Sequence, residues 1–348
     1  MAATPERKGW RRYALPVGLS AGVLVAVLAL TVEPETWPML RASFRPLPLV
    51  GAVAASALWL AVGGGWVRHL SGGALGWWAG CRAFLAREFF SAVTPSVVGG
   101  APLAAVFVAK DTGRTVGQSG TMLLLLMLLD HVWFCTLAVG LFVATLTTPL
   151  LPPSFGTVGG GAFALYLLAL IGWTGLLTYA VLLRPTVFAA VVRGVFRLRP
   201  LRRFEGRAKE EASRLTKEAL LLKRRGLGFF AVGYGWAVLA WACRYAVVLG
   251  VVKAVAPAAP VGLTLLKAAA VWLSALVMPT PGGAGGLEGM FALFFAPVVA
   301  GALVGPAVTA WRLLSFYAVL ALGAALTAGR VGARLTAPAA RNPEEAAP

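Results

Sequence analysis

The amino-acid sequence predicts an all-α, polytopic membrane protein with six long transmembrane helices and two helical regions broken by proline and glycine. Three observations point there. Charged residues make up only 13% of the 348, where a soluble domain carries about 25%. Six apolar stretches each reach the ~20 helical residues that a hydrocarbon core of ~30 Å requires. The basic residues fall between these stretches, and mostly between alternate ones.

Residues 1–13 form a short basic N-terminus with Arg7, Lys8, Arg11 and Arg12. The apolar run that follows, 14–32, resembles a secretory signal. It is longer than an h-region and no small-x-small cleavage site follows, so it is expected to stay as the first span. Residues 47–67 form the second. The region 73–108 is apolar but interrupted at 94–102, and residues 119–146 and 157–183 complete a first membrane half over 14–183. A hydrophilic connector, 184–226, comes next. Its Phe204, Ala208, Ala212, Leu215 and Leu222 recur at spacings near three to four among Arg, Lys and Glu. That pattern predicts an amphipathic helix along the cytoplasmic membrane surface, basic face toward anionic headgroups; a solvated connector whose charges only set topology fits it equally. The second half, 227–329, has spans at 227–252 and 305–329 around a second interrupted region, 260–302, whose break covers 279–288. Residues 330–348, rich in Ala and Pro, are expected to be a disordered cytoplasmic tail.

The two breaks organise the reading. One is Thr94-Pro95-Ser96-Val97-Val98-Gly99-Gly100-Ala101-Pro102; the other is Pro279-Thr280-Pro281-Gly282-Gly283-Ala284-Gly285-Gly286-Leu287-Glu288. Proline removes a backbone donor and glycine favours non-helical dihedrals, so neither continues as regular helix. Irregular backbone at membrane depth is tolerated only where it is buried in protein or lines a wet cavity. Two such breaks in corresponding halves point to a transport site at a repeat interface. Close helix packing of the small-xxx-small kind would explain the glycines but not the prolines.

Each broken region contributes an even number of crossings, whether as a re-entrant hairpin or a pair of short spans. Lys and Arg then number 25 on one side and 3 on the other. The positive-inside rule places both termini and the connector in the cytoplasm, with the first break entering from that side and the second from outside. If both broken regions are hairpins, this is the arrangement expected of an inverted repeat around a midplane site.

Ionisable groups within spans mark function by default. Asp130 and His131 lie mid-span, Arg244 deep in the fifth span, Glu288 just past the second break and Arg312 early in the last span. Glu288, Arg244 and Arg312 are unbalanced in sign and need a partner or a polar cavity. Asp130 also suits a structural ion pair, and His131 a packing role. Arg82 and Lys267 are expected to snorkel to the headgroups. Arg87 and Glu88 are adjacent, so they leave a helix on different faces, which fits the interface. The candidate binding residues are Thr94, Pro95, Gly99, Gly100, Asp130, Arg244, Thr280, Pro281, Gly282, Gly283, Glu288 and Arg312. Two arginines facing a cavity suit phosphate oxygens, and helix N-termini after each Gly-Gly would add backbone donors.

Other classes find no support. Cys81, Cys135 and Cys243 are isolated and the only histidines are His69 and His131, so neither a metal site nor a disulfide framework is expected. No cofactor motif, Walker lysine, HExxH, GxSxG or paired carboxylates appear, and no enzymatic activity is expected. The net charge of +18 belongs to topology and anionic lipid rather than nucleic acid, for which no module is present. The twelve tryptophans suit interfacial belts.

Residues 10–335 resemble the flippase-like membrane domain of lysylphosphatidylglycerol synthases and its stand-alone relatives. The resemblance rests on the Thr94–Pro102 stretch with Lys110-Asp111-Thr112-Gly113 after it, on Asp130, on the Pro279–Gly285 turn with Glu288, and on Arg312 in Trp311-Arg312-Leu313-Leu314. It departs at Ala101, Ala104, Leu126 and Met127, where that family often carries charge. The resemblance implies a cytoplasmic-membrane protein that moves a lipid between leaflets: an anionic phospholipid, an aminoacyl-phospholipid or a polyprenyl-phosphate-linked lipid. No aminoacyl-transferring domain is expected after Gly329. Two alternatives remain open at this stage, a proton-coupled transporter of a small anion or amphiphile, and a membrane partner presenting lipid to a separate transferase. Expected partners are membrane lipids with anionic headgroups, with a homo-oligomer and a separate lipid-modifying transferase as further options.

Overall fold

The computed structural model describes residues 34–94, 100–147, 156–196, 205–278 and 280–335, together with residues 18, 22, 25, 29 and 32. Among the described residues every regular element is a helix. Five helical stretches are long and apolar enough to cross a membrane: Pro46–Leu70, Val116–Thr145, Gly161–Leu183, Leu227–Val255 and Gly301–Thr327. They correspond to five of the six expected spans. The expected first span lies almost wholly outside the described residues, as do Pro95, Gly99 and Pro279 of the two breaks.

The helices are α1 (Thr36–Ser43), α2 (Pro46–Leu70), α3 (Trp77–Val93), α4 (Gly100–Thr112), α5 (Val116–Thr145) and α6 (Gly156–Thr178). The connector holds α7 (Pro185–Phe196) and α8 (Glu205–Lys223). The second half is built from α9 (Leu227–Val255), α10 (Val261–Ser274), α11 (Gly286–Phe295), α12 (Gly301–Arg312) and α13 (Ala318–Leu335). Helix α13 runs past the boundary expected for a disordered tail at 330. A π-helical turn, Leu313–Tyr317, joins α12 to α13. Such turns occur mostly as single insertions within α-helices, frequently at functional sites.

Local chemistry explains the boundaries. Helix α5 starts earlier than apolarity alone indicates because Thr115 caps it: the Thr115 hydroxyl accepts from the Gln118 N–H, and the Gln118 side chain accepts from the Thr115 N–H. Helix α9 ends at Val255, just before Pro257 removes a donor. Leu58, Val139, Leu168, Leu239 and Leu322 point outward. Large aliphatic side chains exposed along such helices suit a lipid solvent better than water.

Each interrupted region holds a pair of short helices. Helices α3 and α4 have 17 and 13 residues, and α10 and α11 have 14 and 10. At ~1.5 Å per residue none reaches the ~30 Å of a hydrocarbon core alone. The two helices of each pair pack on one another, α2 lies along α9, and α3 contacts α2, α13 and the Pro281–Gly283 turn. The α2–α3 approach depends on small residues: a Cβ on Gly80 would sit 2.3 Å from the Gly64 carbonyl oxygen.

The connector departs from expectation. Ala212 and Ala219 of α8 are buried, and α8 packs on the start of α5. Glu211 accepts from the Gly117 N–H at 2.6 Å, and Gln118 donates to Glu218 at 3.1 Å. Ala212 and Ala219 are therefore covered by protein, with Glu211 set against the positive end of α5.

Candidate functional site

Residues from both breaks line one cavity of about 150 Å³. Thr94, the last described residue before the first break, lines it, as do Thr280, Gly282 and Gly283 of the second turn. The second turn is held by its own backbone. Gly282, Gly283 and Gly285 have φ of 60°, 67° and 84°, which side-chain-bearing residues rarely adopt. The Gly283 N–H donates to the Thr280 carbonyl, and the Thr280 hydroxyl donates to the Ala284 carbonyl. Pro281 sits at the head of this turn. Gly100 lies outside the cavity wall. A Cβ there would come within 2.4 Å of the Ser91 nitrogen, so Gly100 serves the close packing of α4 on α3.

Glu288 and Arg312 lie at the second turn. They are 2% and 1% exposed, with Arg312 Nε 2.8 Å from Glu288 Oε1. That N–H is not directed along the line of contact, so the attraction is an ion pair and the hydrogen bonds go to the turn. The Gly285 N–H donates to Glu288 at 2.9 Å and Arg312 donates to the Gly282 carbonyl at 3.1 Å. The Phe316 ring lies 4.3 Å from the Arg312 guanidinium carbon. Arg312 and Phe316 line the cavity while Glu288 stands behind.

A second network occupies the α3, α5 and α9 walls. Arg87 pairs with both Glu88 and Asp130, and Glu88 also pairs with Arg244. The Trp241 indole N–H donates to Asp130 at 2.8 Å. Arg244 is enclosed by aromatic rings, its guanidinium carbon 4.3 Å from Trp59, 5.0 Å from Trp241 and 4.7 Å from Trp272. His131 also lines the cavity; its Nδ1 lies 2.8 Å from the Met127 carbonyl, which only accepts, so that nitrogen carries the proton. A small crevice beyond Arg244 shares Trp59, Arg244 and Ser315 with the main cavity.

Several expectations change here. Arg87 and Glu88, read as interfacial, are half of the central network. Apolar sequence on both sides of the pair, Phe84-Leu85-Ala86 and Phe89-Phe90, was the available signal. Glu288, Arg244 and Arg312 are not unbalanced, since every one is paired. Arg82 of α3 bonds Asp111 of α4 at 3.0 Å. Lys267 is 3% exposed and donates to the Phe294 carbonyl at 2.7 Å, at the negative end of α11, instead of reaching a headgroup. Trp59, Trp66, Trp241 and Trp272 line the cavity, so they are not belt residues. No group of three or more metal-ligating side chains occurs among the described residues.

Gly282 offers a direct test of the turn. A Cβ there would lie 2.0 Å from the Phe316 ring, at a φ that disfavours it. Gly282→Ala is expected to cost roughly 2–5 kcal/mol, adding left-handed strain to overpacking. Thermal unfolding in detergent measures it; an unchanged midpoint would mean that the turn is not held in this form.

A family model described as the lysylphosphatidylglycerol synthase TM region matches residues 13–323. Comparison with curated proteins and with solved structures gives no match.

Proposed function

The chain belongs to the lysylphosphatidylglycerol synthase transmembrane-region family, and on that premise we propose that it is a lipid translocase, passing a phosphate-bearing headgroup between leaflets while the acyl tails stay in hydrocarbon. One observation carries the reading: Thr94 at the first break and Thr280, Gly282 and Gly283 at the second line one cavity with five charged side chains. In this reading the hairpins are re-entrant, related as an inverted repeat, and the termini are cytoplasmic. Their unwound turns supply polar backbone where a headgroup needs it. Arg312, Arg87 and Arg244 attract the phosphate; Glu288 orients Arg312, and Glu88 and Asp130 orient the other two. The side between α2 and the Leu313–Tyr317 turn, where the small crevice reaches Arg244, supplies the lateral opening. The chain acts by transport rather than by catalysis, and needs no cofactor.

The test is leaflet exchange of tail-labelled phospholipids in vesicles, read as loss of the inner-leaflet signal to a membrane-impermeant quencher. Vesicles holding the protein should lose the fraction that empty vesicles protect. Equal protection in both ends the proposal.

A further inference from the structure

The charges around the cavity balance. Arg87, Arg244 and Arg312 face Glu88, Asp130 and, behind Arg312, Glu288, with His131 counted as neutral. A purely anionic headgroup that draws Arg244 away from Glu88 would leave Glu88 and Asp130 to share Arg87, one buried negative charge in excess. A purely cationic one would strand an arginine. Either outcome is strongly unfavourable in a site this enclosed. A headgroup carrying one phosphate and one ammonium avoids both, because each ion pair that opens is replaced by another.

The walls supply a place for each end. Trp59, Trp241 and Trp272 surround a cation on three sides, and that cation is the guanidinium of Arg244. Aromatic boxes of this kind recognise organic ammonium groups. Arg244 plugs the box and is tied to Glu88. The Trp66 and Trp272 indole N–H groups are buried without a hydrogen-bond partner, on residues that line the cavity. Buried donors of this kind call for an acceptor. The volume, about 150 Å³, is that of cavities that take a benzene-sized molecule. A phosphate joined through two carbons to an amine is of that order; a sugar diphosphate is not.

We propose that the cavity is selective for a small zwitterionic headgroup of the phosphoethanolamine type. Arg244 turns from Glu88 to the phosphate, joined there by Arg312. The ammonium takes its place beside Glu88 within the three tryptophans. No covalent bond changes, and every buried charge keeps a partner. This deepens the translocase reading and rests on it.

The experiment compares lipids with identical labelled tails and three headgroups, ethanolamine, N-acetylethanolamine and glycerol, in vesicles holding the full chain. Native mass spectrometry scores retention of the same lipids on the detergent-solubilised protein. The ethanolamine lipid should exchange at least about tenfold faster than the other two, which leave Glu88 and Asp130 sharing Arg87 alone when they bind. Glu88→Gln should shrink that preference severalfold. Trp272→Leu, which opens the box without removing a charge, should do the same. Excess soluble O-phosphoethanolamine should displace the retained lipid only weakly; displacement at equal concentration would assign the site to a free metabolite and overturn the lipid part. Equal exchange of all three lipids would overturn the headgroup assignment and leave translocation standing. No exchange, with selective retention of the ethanolamine lipid, would keep the headgroup and refute translocation. No exchange and no selective retention would remove both.

Discussion

Glu288→Ala is expected to cost about 3–5 kcal/mol of folding stability, because Arg312 then stays buried without its counter-charge. Both partners are almost fully enclosed, so solvent cannot take over the lost interaction. The Gly285 N–H loses its acceptor in the same step. The pair is better tested as a pair. Glu288→Gln combined with Arg312→Met removes both charges yet leaves an amide oxygen for Gly285. That variant should unfold within about 1–2 kcal/mol of the wild type, since neutral replacement of a buried ion pair is often tolerated. Leaflet exchange should still be lost, because one of the arginines facing the cavity is gone. A folded double variant with wild-type exchange would show that the pair only holds the turn. Thermal unfolding followed by size-exclusion chromatography, beside the vesicle assay, separates the two.

Asp130→Ala is expected to cost roughly 2–4 kcal/mol, less than Glu288→Ala because Glu88 still accompanies Arg87. Glu88 would then serve two arginines, Arg87 and Arg244, and the network would carry a net positive charge. The Trp241 indole would also lose its acceptor. Asp130→Asn keeps an oxygen for Trp241 and should recover part of the stability but not the charge balance. Exchange should therefore remain low in Asp130→Asn while its unfolding midpoint approaches the wild type. If the two properties instead recover together, Asp130 holds the helices in place and does nothing further.

Residue type and order were enough to find much of the cavity lining. Thr94, Thr280, Gly282 and Gly283 were visible as breaks in apolar sequence, and Asp130, Arg244 and Arg312 as charges out of place in a span. All of them line one cavity. The misreadings share a cause. Arg87 and Glu88 project in different directions from one turn of α3, which suggested an interface. Their long side chains bend toward partners on α5 and α9, 43 and 156 residues away. Trp59 and Trp272 resembled other apolar-span tryptophans until α2, α9 and α10 came together around Arg244. Lys267 looked like a residue able to reach water; the end of α11 instead closes over it.

Composition, hydropathy and the placement of proline and glycine are properties of each segment by itself, because the bilayer acts on every segment separately. They determined that this chain is helical, multi-pass and interrupted twice. The pairing of its charges is a property of distance, and Coulomb attraction between two side chains depends on where their helices sit. Only the tertiary structure could decide that Arg244 belongs to Glu88, that Arg312 belongs to Glu288, and that the cavity between them is neutral.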